Sequence, residues 1–255
     1  MREKVLFSAN RYEELRKIVR SGQKNLVFSF MNANDIYEIH NNEQFKDTIF
    51  DKRMNRIILI DGFTTAVVLS IKNMRILRRL QGPTFTSKFL NDPELVENKK
   101  HFFFGIGSGG LDRLCQRYPL LKRENVFGVQ HLFIEGYHFS NELIKKVILE
   151  INKNKINYLW IGAGCPRQEI LTKDLYDHIA VDGIFNVGVA LEYIQGKRKR
   201  ASKIFQTLGL EWFYRLFDDF KLTRTRIRKS VVGTFLAFLA IDTRSEESLG
   251  STSDI

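Results

Sequence analysis

The sequence predicts an α/β fold: a Rossmann-like parallel sheet flanked by helices, followed by a helical C-terminal appendage. Short apolar runs rich in β-branched and aromatic residues alternate with segments whose apolar residues recur every three or four positions. Alternation of this kind is typical of parallel strands joined by helices that cover both faces of the sheet. Of the 255 residues, 44% are hydrophobic, which is enough for one such core plus an appendage.

Six strands are predicted, at residues 26–30, 56–61, 101–105, 125–130, 158–162 and 179–182. Helical spacing predicts helices at residues 65–80, 110–118, 141–152 and 166–175. Ligands of open parallel sheets bind beyond the carboxyl ends of the strands. Residues that directly follow a strand are therefore the first candidates for a functional site.

Positive charge is concentrated towards the C-terminal end of the chain. The whole chain has a net charge of +11, and residues 197–229 hold 11 Lys and Arg against three acids, which gives 11 − 3 = +8. A block of this kind can contact nucleic acid, anionic lipid or a diphosphate. We therefore divide the chain into an α/β core at 1–196, a basic helical appendage at 197–242 and a disordered tail at 243–255. One apolar stripe at helical spacing runs through the appendage: Phe205, Leu208, Trp212 and Leu216.

The cellular compartment is suggested by cysteine content and by the apolar runs. Cys115 and Cys165 are far apart in sequence, which excludes a disulfide scaffold and a cysteine-based zinc site and fits a reducing compartment. Residues 1–11 lack the apolar centre of a signal peptide, and the run at 231–241 is too short to span a bilayer. We expect the protein to stay in the cytoplasm.

Asp61 ends an apolar strand and precedes Gly62. A carboxylate at the mouth of the sheet is well placed to act as a general base. From position alone, a role as the cap of the helix that follows is favoured over catalysis.

A glycine-rich segment follows the third predicted strand. Residues 105–110 read GIGSGG and satisfy the G-x-G-x-x-G pattern, in which glycines let a pyrophosphate approach a helix N-terminus. The next strand ends at Gln130 and His131, without the acid that holds an NAD ribose. This pattern favours a phosphate or nucleotide loop that includes Gly107 and Ser108 over an NAD site, and a plain tight turn is a further alternative.

The most distinctive segment is the strand-to-helix corner GAGCPRQE at 162–169. Gly164 breaks the strand, Pro166 suits the first helical position, and Arg167, Gln168 and Glu169 occupy the first turn. Glu169 could simply compensate the helix dipole. Because glycines, a proline and three polar residues meet at one corner, we favour a ligand-binding rim.

No residue pattern predicts a metal site. The five histidines (His40, His101, His131, His138 and His178) lack metal-ligand spacing, and structural roles are favoured for each of them. No D-x-D sequence, the usual carboxylate pair for a nucleotide-sugar metal, occurs in the chain. Cys165 has no histidine near it in sequence and is interpreted as a small filler rather than a nucleophile.

Taken in order along the chain, these motifs resemble the WecG/TagA/CpsF glycosyltransferases, also called glycosyltransferase family 26. The corner at 162–169 resembles the family's G-x-G-x-P-[KR]-Q-E, and Asp61–Gly62 resembles its D-G pair. Residues 79–82, RLQG, resemble its R-x-x-G, and Asn32–Ala33 resembles the pair after its first strand. Gly188, residues 196–201 and the segment LGLEWFYRL at 208–216 resemble its C-terminal signature.

The resemblance implies an inverting transfer of a sugar, N-acetylmannosamine in type, from a UDP-sugar to an undecaprenyl-diphosphate-linked acceptor. Asp61 would be the base, while Arg215, Arg79 and Gln168 would stabilise the departing UDP, with Arg224 and Arg226 as weaker candidates. No metal or other cofactor is expected. The appendage would complete the site and place the protein peripherally on the anionic inner face of the plasma membrane. The remaining predicted contacts to substrate or nucleotide are Asn32, Arg79, Gly107, Ser108, Gly136, Tyr137, Gly164, Pro166, Arg167 and Glu169.

Three alternatives differ from this interpretation. A nucleic-acid-binding protein could use the +8 block as a phosphate track, with Phe205, Trp212, Phe213 and Tyr214 for stacking. The helical stripe favours burial or membrane contact over that use, so we expect no nucleic-acid partner. An NAD-dependent oxidoreductase is weakened by the missing acid. Within the resembled family, the transferred sugar could instead be glucose or mannosaminuronic acid.

Overall fold

A six-stranded, wholly parallel sheet forms the centre of the protein, seen in a computed structural model. The structure describes residues 12–72, 74, 76–130, 136–198 and 220–240, and within the last of these ranges it describes the side chains of 227–239. The strands are β1 (Leu26–Met31), β2 (Arg56–Ile60), β3 (His101–Phe104), β4 (Val126–Val129), β5 (Tyr158–Ile161) and β6 (Gly183–Asn186). Their order across the sheet is β2-β1-β6-β5-β3-β4. The predicted α/β class and parallel sheet are confirmed.

Helices cover both faces of the sheet. The first half of the chain contains α1 (Tyr12–Arg20), α2 (Ala33–Asn41), α3 (Glu43–Ile49), α4 (Phe63–Lys72), α5 (Gly82–Leu90) and α6 (Pro93–Val96). The second half contains α7 (Ser108–Arg117), a 3-10 turn (Arg123–Asn125), α8 (Asn141–Asn154), α9 (Arg167–Tyr176), α10 (Ala190–Ile194) and α11 (Phe220–Ala240). None of the helices in the described ranges has the length and apolar content needed to cross a membrane.

Alternate side chains of each strand enter different cores because successive residues point to opposite faces. One face packs aromatic side chains, among them Phe28, Trp160 and Phe185, against α1, α5, α7 and α10. Trp160 and Phe185 stack with ring centroids 4.3 Å apart. The opposite face packs mainly aliphatic residues, together with Phe102 and Phe104, against α8 and α9 and, in a smaller cluster near β2, against α2, α3, α4 and α11.

Two predicted elements are wrong in position. The sixth strand is Gly183–Asn186, not 179–182. Val181 and Ile179 are buried, which produced the strand-like pattern, but Asp182 binds Lys24, Lys99 and Asn157 at the amino edge of the sheet. A carboxylate that pairs with lysines belongs at the edge of a sheet and not inside a buried strand, because burying a charge is costly.

The helix predicted at 65–80 is the second correction, because α4 ends at Lys72. After it, the Leu77 amide donates to Ser70 Oγ (2.9 Å), and the Leu80 amide donates to the Ile60 carbonyl (2.8 Å). The chain therefore turns back along α4 and returns to the end of β2. These tertiary hydrogen bonds override an apolar pattern that continues past the end of the helix.

The basic appendage ends in a helix that packs on the core. Ala237 is fully buried in the cluster formed with α2 and α4, and Lys229 Nζ lies 2.5 Å from Glu38 Oε1. A Cβ on Gly233 would come within 1.8 Å of the Ala33 carbonyl oxygen, so the two backbones are in close contact. The helical character predicted for this region is confirmed for 220–240, whereas the stripe at 205–216 and the tail at 243–255 lie outside the described residues.

Candidate active site

Asp61 and Asn32 lie side by side at the carboxyl edge of the sheet. Met31 pairs with Ile60, so the residues that follow them leave neighbouring parallel strands together. The Asp61 amide donates to the Met31 carbonyl (2.8 Å), and a Cβ on Gly62 would lie 3.1 Å from Asn32 Cβ. Asp61 is half-buried. A carboxylate in this position is open to a substrate that approaches the edge.

The side chain of Asn32 has a structural role in this arrangement. Its Oδ1 accepts from the Asn34 amide (2.9 Å), while its own amide donates to Asp35 Oδ2 (2.7 Å). These bonds form a capping box that starts α2. Contact between Asn32 and substrate stays a prediction.

Arg79 is brought to the same point by the returning segment after α4. Because the Leu80 amide bonds to the last residue of β2, its neighbour Arg79 lies close to Asp61. The Arg79 guanidinium stacks on the Phe63 ring, 5.5 Å from its centroid, which fixes the cation in place. The structure therefore combines a carboxylate and a guanidinium that are 18 residues apart in sequence.

The corner after β5 lies three strands away from Asp61 across the edge, and its Gln168 side chain reaches back to the end of β6. Gln168 Nε2 donates to Glu169 Oε1 (2.8 Å) and, more weakly, to the Asn186 carbonyl (3.4 Å). Gln168 Oε1 is buried without a hydrogen-bond partner, and it would lie 3.4 Å from a Cβ on Gly188. Strands are spaced about 4.8 Å apart, so Asp61 and the Gly188 position are separated by roughly 10 Å.

Gly164 and Gly188 leave space at this corner. Both have positive φ (74° and 52°), and a Cβ on Gly188 would approach the Gly164 Cα to 3.9 Å. Side chains at these positions would be strained and would fill the space in front of Gln168. Of the neighbouring predicted residues, Pro166 is buried and Arg167 is half-buried.

Glu169 points into the protein instead of towards the rim. It is 3% exposed, and burial together with the negative charge of Asp35 raises its pKa to about 8. Arg56, whose guanidinium Nε is buried, has its pKa lowered to about 10 by desolvation and partly offsets these acids. At neutral pH the Glu169 carboxyl therefore holds its proton.

Glu169 belongs to a buried polar network beneath the edge. Thr172 Oγ1 donates to Asn186 Oδ1 (2.9 Å), Asn186 Nδ2 donates to Ser29 Oγ (3.4 Å), and Arg56 donates to the same hydroxyl (2.7 Å). The network links β2, β1, β6 and α9. It holds the corner after β5 in register with the strands that carry Asn32 and Asp61.

Cys165 joins the corner to α2. It is in hydrogen-bonding contact with Asp35, whose pKa is raised to about 6 by burial. Burial also raises the pKa of the Cys165 thiol well above its ordinary value. A protonated thiol is not a nucleophile, so its predicted lack of nucleophilic function is consistent with its surroundings.

The glycine-rich segment begins α7 at the end of β3, four strands from β2. A Cβ on Gly110 would lie 2.5 Å from Gln195 Oε1 and 2.6 Å from Ile106 Cγ2, so this glycine permits close packing. Ser108 is exposed at the first turn of α7. Gly107 is the N-terminal cap residue of this helix and, being a glycine, supplies no side-chain hydrogen bond. The structure places this loop at the same edge as Asp61 but not next to it.

Gly136 and Tyr137 lie between β4 and α8. Gly136 has a φ of 95°, and Tyr137 is 43% exposed. Tyr137 lies within electrostatic range of Lys229 of α11, and the next residue, His138, contacts Gln44 of α3 (2.7 Å). These residues therefore lie towards the α3 and α11 side of the protein, away from Gly107.

Arg215, the predicted cation over the UDP diphosphate, lies outside the described residues, and so do the side chains of Arg224 and Arg226. His101 accepts from Trp160 Nε1 (3.1 Å) in the aromatic core, and burial lowers its pKa to about 3, which supports the structural role predicted for it. Within the described ranges no three His, Cys, Asp or Glu side chains are grouped to hold a metal ion.

Sequence reasoning missed the polar residues inside the strands. Ser29 and Asn186 interrupt apolar runs and point to the same face, a spacing that could have indicated a buried network. Asp35 gave no such signal, because its sequence neighbours are typical of an exposed helix start. Its burial depends on Cys165, 130 residues further along the chain.

The parallel sheet, with polar side chains at the carboxyl ends of its strands, defines an α/β protein of the kind that binds ligands at this edge. Comparison with known proteins narrows this class. The model of the glycosyl transferase WecG/TagA/CpsF family matches residues 5–247. The chain belongs to that family.

Two similar relatives come from Staphylococcus aureus, and both are called N-acetylglucosaminyldiphosphoundecaprenol N-acetyl-beta-D-mannosaminyltransferase. The protein of strain MRSA252 is 31% identical over 130 residues, which cover 49% of this chain and 47% of the relative. That of strain NCTC 8325 / PS 47 is 34% identical over 132 residues, with the same coverage. The chain thus spans about half the length of these relatives.

Proposed function

We propose that the protein is an inverting glycosyltransferase that moves a sugar from a UDP-sugar to an undecaprenyl-diphosphate-linked acceptor. The observation that carries the proposal is the placement of Asp61 beside Arg79, about two strand spacings from Gln168. The family and the names of its relatives support N-acetylmannosamine as the sugar and an N-acetylglucosaminyl lipid diphosphate as the acceptor.

In the proposed reaction, the Asp61 carboxylate removes the proton of the acceptor hydroxyl. The oxygen then forms a bond to the anomeric carbon from the face opposite UDP, and the bond between this carbon and the UDP oxygen breaks. UDP departs with the electron pair, and the configuration inverts. A base adds about two to four orders of magnitude to such a rate.

The departing diphosphate requires positive charge. Arg79 is held near Asp61 by Phe63, and we assign it to this task together with Arg215 of the appendage. We further propose that no metal ion takes part. Gln168 would orient the donor sugar, because its buried Oε1 has no hydrogen-bond partner and faces the gap between Gly164 and Gly188.

The location of the protein follows from the acceptor. An undecaprenyl chain stays in a membrane, so we place the protein peripherally on the inner face of the plasma membrane, with the basic appendage towards anionic lipid. In this arrangement Arg215→Ala slows transfer but leaves vesicle binding intact.

Purified protein tests the proposal with a panel of UDP-sugars and a short-chain lipid diphosphate acceptor. We expect UDP and one UDP-sugar to raise the melting temperature, and NMR of the product to show an inverted linkage. A retained configuration contradicts the assignment of Asp61 as the base in a single displacement. Stabilisation by NAD or oligonucleotides, with none by UDP, would favour the oxidoreductase or the nucleic-acid alternative.

A further inference from the structure

Helix α4 carries an exposed apolar stripe directly after Asp61. Phe63, Val67 and Ile71 recur every four residues and are 42%, 41% and 65% exposed. The stripe continues past the helix with Met74 and Ile76, which are 96% and 85% exposed. Five neighbouring large apolar side chains left in water are unusual for a surface without a partner.

Helix α11 has a second stripe of the same kind. Its inner side packs on α2 and α4 through Gly233 and Ala237, while its outer side leaves a set of large apolar residues exposed. These residues are Val231, Val232, Phe235, Phe238 and Leu239.

The two stripes belong to one surface because the helices contact each other. Thr234 Oγ1 lies 3.3 Å from Thr64 Oγ1, and each threonine is next to an exposed apolar residue, Phe235 and Phe63 respectively. We call the ten exposed apolar residues of the two stripes the α4–α11 face. The α4 half is part of the α/β core.

The two segments that carry this face contain basic but no acidic residues, although Asp61 directly precedes the first segment and Glu38 of α2 pairs with Lys229. Residues 62–91 contain five Lys or Arg and no Asp or Glu, and residues 220–240 likewise contain five and none. Arg78 and Arg228 are exposed. Apolar side chains accompanied by an excess of cations are complementary to an anionic lipid leaflet, in which acyl chains lie below negative headgroups.

We propose that the α4–α11 face inserts into the surface of an anionic membrane and that the core helix α4 supplies the contact nearest the reaction centre. Phe63 lies two residues after Asp61, and its ring packs against the Arg79 guanidinium. The residue that contacts lipid therefore also holds the cation of the reaction centre. A lipid-linked acceptor could then present its diphosphate and sugar to this edge while its chain stays in the bilayer. The inference rests on the proposed function for the identity of that acceptor.

The test replaces two α4 residues that do not belong to the reaction centre. In the full-length protein, Val67→Glu combined with Ile71→Glu puts two negative charges into the face. We expect binding to phosphatidylglycerol vesicles, measured by co-sedimentation, to weaken about tenfold or more. Transfer to a long-chain acceptor embedded in these vesicles should fall in parallel, whereas transfer to a short-chain acceptor in solution should be unchanged.

Leu149→Glu on α8 is the matched control, since Leu149 is 68% exposed, outside the face. It should bind vesicles like the wild type, and all variants should melt at similar temperatures because the replaced side chains are exposed. Phosphatidylcholine vesicles should bind the wild type poorly, and salt should weaken its binding to anionic ones.

Three outcomes decide between the hypotheses. Vesicle binding by the double variant within about twofold of the wild type overturns the proposal. Conversion of a dimer to a monomer with vesicle binding unchanged also overturns it and assigns the face to a second copy of the chain. If vesicle binding is lost as expected but the wild type transfers sugar to neither acceptor, the face stands and the proposed function fails.

Discussion

The segments after β5 and β2 leave the same edge of one sheet, yet they differ in burial, charge and connection to the rest of the protein. After β5, Gln168 and Glu169 are almost fully buried and tied to Asn186 and Asp35. After β2, Asp61 is half-buried, and Phe63 and Ile71 are exposed among cations. Side chains after β5 therefore set a fixed geometry, whereas side chains after β2 are more exposed to solvent.

The comparison indicates a division of tasks along the edge. A buried network is costly to rearrange, so it suits the orientation of one small ligand. An exposed carboxylate with cations and apolar side chains suits a second, larger substrate that arrives from a surface. Four predictions test this difference, in order of decreasing expected effect.

Asp61→Asn should lower the transfer rate by about two orders of magnitude or more, because the amide cannot accept the acceptor proton. Asp61 is half-buried at the edge, so the melting temperature and UDP affinity should change little. Steady-state kinetics and thermal shift provide the two measurements. Turnover near the wild-type rate would remove Asp61 from the proposed mechanism.

Glu169→Gln should change the dependence of stability on pH. The folded pKa of about 8 lies above the ordinary value of 4.5, so the folded state binds the proton more tightly between these values. The free energy of unfolding therefore falls as pH rises from about 4.5 to 8 and then levels off. Between pH 5 and pH 8.5, the free energy of unfolding measured by urea titration should fall by roughly 2 kcal/mol less in the variant than in the wild type. This figure is reduced to allow for the charges of nearby Asp35 and Arg56.

Asp35 remains in that variant with its own raised pKa, so a smaller loss of stability with pH should persist. Parallel pH curves for the variant and the wild type would show that Glu169 does not titrate in this range. The corner would then be less apolar than its burial indicates.

Gly233→Ala should destabilise the protein by roughly 1–2 kcal/mol, because the new Cβ would approach the Ala33 carbonyl oxygen and separate α11 from α2. Gly109→Ala is the matched control, since a Cβ there meets nothing within 4 Å in α7. It should be neutral or stabilise by about 0.5–1 kcal/mol. Hydrogen exchange should increase in α2 and α11 for the first variant alone, and equal exchange in both would contradict the close packing.

Chelation of divalent metals by EDTA should have the smallest effect, because we assign neutralisation of the diphosphate to Arg79 and Arg215. Transfer assays with and without EDTA should give the same rate. Complete loss that is restored by Mg²⁺ or Mn²⁺ would show that cations of the protein do not suffice.

Local sequence patterns gave the class of fold and the positions of most strands. Five of the six predicted strands overlap the observed ones, because buried parallel strands are short apolar runs whatever lies next to them. The sixth was shifted by four residues since Asp182 separates two apolar runs, and only its contacts with Lys24 and Lys99 show which run lies in the sheet. Helices α1, α2, α3, α5, α6 and α10 were not predicted, because each has at most nine residues and its apolar stripe is short.

The sequence by itself determined the chemistry of the edge: Asp61 and the corner at 162–169 were recognisable as residue types after strands, and Arg79 through the family resemblance. The tertiary structure decided which of them are neighbours, because parallel pairing puts β2 beside β1 but four strands from β3. It also decided that Glu169 faces inward, where burial and Asp35 raise its pKa, and that α4 and α11 share one apolar surface. Proximity and burial depend on residues far away in the chain, and a local pattern carries no information about them.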